Sequence, residues 1–473
     1  MKHVKSVIWT VLSRAVAVSG QVAFFLVVAR AVGPDMIGVF ALASVVAFAI
    51  ARIASTGWQQ YASSHVHDPA RLKHCAHAGL LSAILASAIS VVIVLVSFSV
   101  TETSTFALIL LALTPTTFIS PLAATPTGVL IGRGELSRLA KLSILSDLSA
   151  AAAALVVLFL DAGIWTLVVH RSVMTIVTLV AAQLASGLEL TRMASMPDKP
   201  LRQFYLTFFL TGLLQQIREN TTLFIAGGVA GATGAGLYRT AARLNSAVVE
   251  LTREAITRLA WSHFSHSDGR RYTTEEGSKF SAVAFGLTAP IFVGLSLVSG
   301  PVIALFLGDE WAEAGAILCF LALAGGLRIQ LAGLTPALAG AKNFRQLLWL
   351  TLVPTSVVIA AMFIAMPLGL VAIGVSVLAA EIAALIQRFY IAVKTEHIDS
   401  MLTLKYCAKP VGAVVLMVMG VEAAGSLINI STPLVVLAVK MTTGVAIWLV
   451  AGAAFYPHIS QMIVQKMRSV LPA

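Results

Sequence analysis

Fourteen apolar runs separated by short polar segments occupy nearly the whole chain, at approximately residues 6–31, 37–57, 76–100, 105–131, 142–160, 164–187, 203–229, 236–260, 281–306, 314–340, 347–366, 369–388, 410–428 and 433–455. Each is close to or above the length of about 20 residues that a helix needs to cross a bilayer. Lipid offers the backbone no hydrogen-bond partners, so a crossing segment must satisfy its own N–H and C=O groups, and these runs are expected to be helices. Composition leads to the same reading: 58% of residues are apolar and only 11% charged, against about 45–50% and about 25% in a soluble domain. The expected fold class is an all-α integral membrane protein with about 14 transmembrane helices.

The basic residues orient these helices. With Lys2 and Lys5 on the cytoplasmic side, alternate connections collect Arg71 and Lys73, then Arg133, Arg138 and Lys141, then Arg192, Lys199 and Arg202, and so on to Lys466 and Arg468. The intervening turns, around 32–36, 101–104, 161–163, 230–235, 307–313, 367–368 and 429–432, hold no Lys or Arg, and several carry Asp35, Glu102, Asp161, Asp309, Glu310 or Glu313 instead. The positive-inside rule then places both termini in the cytoplasm. The formal net charge of +11 is a consequence of this topology and calls for no nucleic-acid partner.

A duplication underlies the fourteen runs. Gly33-Pro-Asp-Met-Ile-Gly38-Val-Phe40-Ala-Leu-Ala43 returns as Gly231-Ala-Thr-Gly-Ala-Gly236-Leu-Tyr238-Arg-Thr-Ala241, each copy following one apolar run and opening the next. Glycines at that spacing permit positive φ and close backbone approach in a tight turn between helices. A weaker echo relates Gly132, before Glu135-Leu136-x-Arg138, to Gly340, before Asn343-Phe344-x-Gln346. Runs one to six and seven to twelve therefore form two pseudo-symmetric six-helix lobes, residues 1–200 and 201–395. A C-terminal helical hairpin with its cytoplasmic tail follows at 396–473.

Eleven basic residues lie inside or at the ends of the runs, among them Arg14, Arg52, Arg171, Arg218, Arg239, Arg243, Arg328 and Lys440. An arginine at the centre of a crossing helix costs about 2.5–3.5 kcal/mol on insertion scales, so such residues are functional candidates. Ser6, Thr10, Ser13/Arg14 and Gln21 share one face of the first run, and Ser44, Arg52, Ser55 and Gln59 share one face of the second. Arg14 and Arg52 fall at a similar depth in the cytoplasmic half. In the second lobe Gln215, Arg218/Glu219 and Thr222 form one stripe, and Arg239, Arg243, Ser246 and Glu250 another, with the arginines in the outer half. Structural pairing competes with cavity lining for several of these groups. Glu250 with Arg253, Glu254 with Arg258, and Glu422 with Lys440 all sit where an ion pair closes, whereas Arg14 and Arg52 have no acid within a turn of their own helices. Asp147, His170, Arg171, Arg328 and Glu381 have no role legible in the sequence.

Catalytic and cofactor signatures are missing from the sequence. There is no G-x4-GK[ST] nucleotide loop. Cys75, Cys319 and Cys407 are too scattered for a disulfide framework or a metal site, and His65, His67, His74 and His77 lack the spacing of a zinc site. The outer turns are too short to hold an active site. No enzyme activity, metal or cofactor is expected.

Val28-Ala-Arg30-Ala-Val-Gly33-Pro34-x3-Gly38-Val-Phe40-Ala-Leu, Gly231-x4-Gly236-Leu-Tyr238-x2-Ala-Ala-Arg243 and Leu130-Ile-Gly132-Arg133-Gly134 resemble the polysaccharide transporter family, part of the multidrug/oligosaccharidyl-lipid/polysaccharide exporter superfamily. The resemblance extends over essentially the whole chain. It implies two six-helix lobes facing across a central cavity, related by a pseudo-two-fold axis along the membrane normal, in a bacterial inner membrane. It further implies flipping of undecaprenyl-diphosphate-linked oligosaccharide units for O-antigen or exopolysaccharide assembly, with a polysaccharide polymerase as partner. Asn220 stands where many relatives carry an acid, which leaves a carried-over cation site there without its carboxylate. A diphosphate suits guanidinium forks, so Arg14, Arg52, Arg218, Arg239 and Arg243 are the expected substrate-binding residues. Glu219 and Glu250 are the expected groups for coupling to H+ or Na+. The alternative is a multidrug/cation extruder of the same superfamily, which requires intramembrane carboxylates for a cationic drug; the first run has none.

Overall fold

The structure is a computed structural model and describes residues 18–100, 104–188, 199–264, 274–331, 334, 338, 344–427 and 432–455. Among the described residues, every regular element is a helix. Ten helices are long and apolar enough to cross a membrane, and two shorter apolar helices, Val18–Val32 and Leu352–Leu368, accompany them. One further helix, Lys199–Phe264, contains two arms broken at Ala230 and Gly231. With those arms, the helices correspond one to one with the fourteen apolar runs. Large side chains such as Phe159 (86% exposed), Leu184 (77%) and Val450 (71%) stand on the outer faces of these helices. An array of that kind is stable against lipid and not against water.

The chain separates into two compact units, residues 27–239 and residues 1–26 with 240–473. In the first, the end of α1 (Val18–Val32) from Val27 onward leads into α2 (Pro34–Ser55), α3 (Trp58–Ser64), α4 (Pro69–Val100), α5 (Ser104–Gly132), α6 (Leu136–Phe159) and α7 (Trp165–Ser186), followed by the first arm of α8 (Lys199–Phe264). Helix α5 is the hub, packing on α2, α4 and α7. It remains one helix through Pro115, Pro121 and Pro126. Buried hydroxyls of this helix return their protons to the preceding turn, as Thr114 does to Leu110 O (3.0 Å) and Thr117 to Thr114 O (2.7 Å), so these two donors are met within the helix.

In the second unit, α9 (Thr274–Phe306) packs on α10 (Ala312–Ile329) and on the C-terminal hairpin α13 (Ser400–Leu427) and α14 (Pro433–Phe455). Helix α12 (Leu370–Lys394) packs on both α10 and α11 (Phe344–Ala365). The expected pair in the hairpin is present: Lys440 Nζ lies 3.4 Å from Glu422 Oε1 and also donates to Leu297 O of α9 at 3.3 Å. This ties the hairpin to the bundle.

The duplicated motif shapes the 27–239 unit. Gly33 (φ +85°) and Gly231 (φ +63°) both take the positive-φ conformation that glycine adopts without strain, and each reverses or breaks the chain between two helices. Five residues on, Gly38 and Gly236 meet face to face. A Cβ on Gly38 would collide with the carbonyl of Ala232 and come within 2.9 Å of Gly236 N, and one on Gly236 would collide with the carbonyl of Pro34 and come within 3.0 Å of Gly38 N. Pro34 and Ala232 occupy the same place in their copies, as do Asp35 and Thr233, whose Thr233 Oγ1 donates to Asp35 Oδ1 at 3.3 Å. The contact is thus reciprocal, the local signature of a pseudo-two-fold relation. Around it Ala41, Val45, Leu223 and Ala235 are buried, with Leu42 and Tyr238 packed on them. Residues 199–239 group with the first half of the chain because the second copy of the motif packs on the first.

Candidate functional site

Helix α2 carries the polar stripe expected of the second run. Ser44 is buried and donates to Ala41 O (3.0 Å), and Ser55 donates to Ala51 O (2.6 Å), so both hydroxyls are satisfied within the helix. Arg52 lies in the last turn, where the negative end of the helix dipole favours a cation. Its guanidinium is exposed and, among the described residues, makes no hydrogen bond or ion pair. The helix then stops at Thr56 and Gly57 (φ +93°) before α3 begins.

In the second unit Arg243 Nη2 donates to Gln21 Oε1 at 2.9 Å. The polar face of the first run and that of the eighth therefore meet, which neither stripe discloses alone. Arg239 and Glu250 are half-buried on the second arm of α8. Arg14 lies outside the described residues, as do the side chains of Arg218 and Glu219, which sit on the first arm of α8. Asn220 donates to Gln216 O (2.9 Å) and Gln216 Oε1 (2.8 Å), a neutral amide pair.

Two clusters were not readable from the sequence. Glu381, buried on α12, accepts from Arg328 Nε (2.8 Å) through Oε1 and from Arg388 Nη2 (3.2 Å) through Oε2. Arg388 also donates through Nη1 to the carbonyls of Arg328 (2.7 Å) and Gln330 (3.5 Å), the open end of α10. Gln330 in turn donates to Thr288 Oγ1 (2.7 Å) on α9, so one carboxylate helps tie three helices. The available signal was the Glu381/Arg388 spacing, two turns apart on one helix face. The second cluster is the guanidinium of Arg171 on α7, stacked over the Phe48 ring of α2 at 4.2 Å.

Glu381 is thus held by two arginines and Glu422 by Lys440, whereas Arg52 and Arg171 have no acid among the described residues. Among the described residues, no group of His, Cys, Asp and Glu is arranged to hold a metal ion. The arrangement offers bare cations within apolar helices, which fits an anionic ligand better than a cationic one.

These features define a multi-pass helical membrane protein with cationic side chains inside its spans. The sequence matches the family of polysaccharide biosynthesis proteins over residues 27–316, and the chain belongs to that family. No curated protein matches it. Among solved structures, it is similar to the lipid II flippase MurJ in an inward closed conformation, at 14% identity and a TM-score of 0.72, covering 94% of this chain and 99% of that one. It is also similar to a multidrug resistance MATE transporter of the MOP superfamily in an inward-facing conformation (16% identity, TM-score 0.60, 82% and 98% covered). A MOP superfamily transporter from Pyrococcus furiosus is a third such structure (15% identity, TM-score 0.50, 82% and 94% covered). At these identities the likeness establishes the shared all-helical fold.

Proposed function

We propose that the protein is a flippase that moves undecaprenyl-diphosphate-linked oligosaccharide units from the inner to the outer leaflet of the bacterial inner membrane, for O-antigen or exopolysaccharide synthesis. The observation that carries this reading is the charge balance of a polysaccharide-biosynthesis chain with an exporter fold: Arg52 has no acid among the described residues, while Glu381 and Glu422 are neutralised. A diphosphate brings at least two negative charges and many acceptor oxygens that guanidinium groups match in bidentate geometry. Its lipid tail can stay in the bilayer while the sugar crosses.

In this reading Arg14 and Arg52 receive the head group on the cytoplasmic side, and Arg218, Arg239 and Arg243 receive it towards the outer side. Each contact must be weak enough to release it again. The lobes of residues 1–200 and 201–395 alternate access, Glu219 and Glu250 couple the movement to H+ or Na+ by competing for the neighbouring guanidiniums, and both termini face the cytoplasm. A polysaccharide polymerase takes up the delivered unit. The chain itself does no bond chemistry. Multidrug extrusion is the second reading, favoured by the likeness to MATE transporters; it requires a free intramembrane carboxylate for a cationic drug.

The test is surface polysaccharide in cells whose only copy carries Arg14→Ala and Arg52→Ala. Polysaccharide is lost while protein level and membrane insertion stay normal. Wild-type output from the double variant would sink the assignment of these residues.

A further inference from the structure

Arg171, on α7 in the 27–239 unit, is expensive to keep in lipid. Among the described residues its only hydrogen-bond acceptor is the thioether of Met174, 3.8 Å from Nη1, a weak partner for a guanidinium. Its Nε is fully buried with no acceptor among the described residues. No carboxylate pairs with it among the described residues. Stacking on Phe48 at 4.2 Å recovers part of the lost hydration, but a ring face takes no N–H bonds in the guanidinium plane. A buried donor left open in this way points to a ligand that completes it.

Phe48 also fixes where that ligand sits. Ser44, Phe48 and Arg52 follow one another at four-residue spacing along one face of α2, so the ring that holds Arg171 is about 6 Å along the helix axis from Arg52. Arg52 is likewise without a partner among the described residues. We infer that Arg171, set by Phe48 beside Arg52, is an anion-binding residue, and that the two guanidiniums together take one phosphate-bearing head group, preferring a diphosphate to a monophosphate. This rests on the flippase reading and adds to it a named contact that no stripe in the sequence contained. Two forks, one on the α2 face and one held against that face by Phe48, suit a ligand with two phosphoryl groups, since each can be met in bidentate geometry.

The experiment is equilibrium binding of farnesyl diphosphate, farnesyl monophosphate, inorganic pyrophosphate and farnesol to the full-length protein in nanodiscs. Arg171→Gln should weaken farnesyl diphosphate by about tenfold or more, the loss of a charge-assisted hydrogen bond, and leave farnesol unchanged. A purely structural role would move both alike. Arg171→Lys keeps the charge without the fork, so it should retain much of the affinity and lose the preference for diphosphate over monophosphate; it also serves if the Gln variant does not fold. A parallel loss for inorganic pyrophosphate assigns the contact to the diphosphate itself, and a loss confined to the farnesyl form assigns it to a lipid-held head group. Undiminished diphosphate binding by R171Q, or wild-type affinity and preference in R171K, overturns this inference alone. No diphosphate binding by the wild type overturns it together with the flippase reading.

Discussion

Replacing Glu381 with glutamine keeps the shape of the side chain and removes the charge that two guanidinium groups share. Removing one partner of a buried ion pair typically costs about 3–5 kcal/mol, because the remaining charge stays desolvated. The two arginines here are not equivalent. The Arg328 side chain is 55% exposed and that of Arg388 only 16%. Arg328 can turn to polar surroundings, so its share is that of an exposed pair, about 0–1 kcal/mol. Arg388 keeps the carbonyls of Arg328 and Gln330, which returns part of its loss. The expected net effect of E381Q is therefore about 2–4 kcal/mol, below the full buried-pair value. The assay is reversible unfolding in mixed micelles titrated with dodecyl sulfate, comparing E381Q, R328Q, R388Q and the E381Q/R388Q double variant. R328Q should cost about 1 kcal/mol or less, and the double variant should cost less than the sum of its parts, since the two groups act as a unit. Additive behaviour, or an R328Q effect larger than that of R388Q, would refute the reasoning that Arg388 is the principal partner.

Three further outcomes follow from the same geometry. Asp35→Cys with Thr233→Cys should cross-link under oxidant and arrest polysaccharide export, since the reciprocal glycine contact must open during transport; a cross-linked protein that exports normally would exclude that role. Gly236→Ala places a methyl group against the Pro34 carbonyl and should lower the yield of that cross-link, whereas an unchanged yield would mean that the turns are already apart. In a background with Cys75, Cys319 and Cys407 changed to serine, Glu310→Cys should react with an impermeant maleimide from outside and Arg270→Cys only after permeabilisation; the reverse pattern would invert the topology.

The helices were readable because lipid imposes a length that the apolar runs meet one by one, and the duplication because glycine spacing survives where side chains diverge. What the repeat could not disclose is that its two copies touch. Nothing in a period of 198 residues says that Gly38 lies on Ala232 and Gly236 on Pro34, since a backbone contact leaves no side-chain pattern beyond the glycines themselves. The stripe containing Gln21 and that containing Arg243 were both visible as helical faces; their hydrogen bond joins positions 222 residues apart. Glu422 and Lys440 were legible because they face each other across one hairpin. Glu381 and Arg171 were not, for opposite reasons. Glu381 has one partner two turns along its own helix and another 53 residues away, while Arg171 has an aromatic partner on a distant helix and no carboxylate among the described residues, so no charge pattern marks it.

The central claim is tested most directly by translocation of a fluorescent undecaprenyl-diphosphate-linked oligosaccharide in proteoliposomes holding the purified protein, with and without an imposed proton or sodium gradient. The account predicts flipping that depends on the protein, that responds to one of the two gradients, and that falls sharply in the Arg218→Ala, Arg239→Ala, Arg243→Ala triple variant, with lysine at the same positions retaining part of it. Full activity of the triple variant would remove those arginines from the path, and indifference to both gradients would remove ion coupling. No protein-dependent flipping, in liposomes where the same protein extrudes a cationic drug, would contradict the account itself.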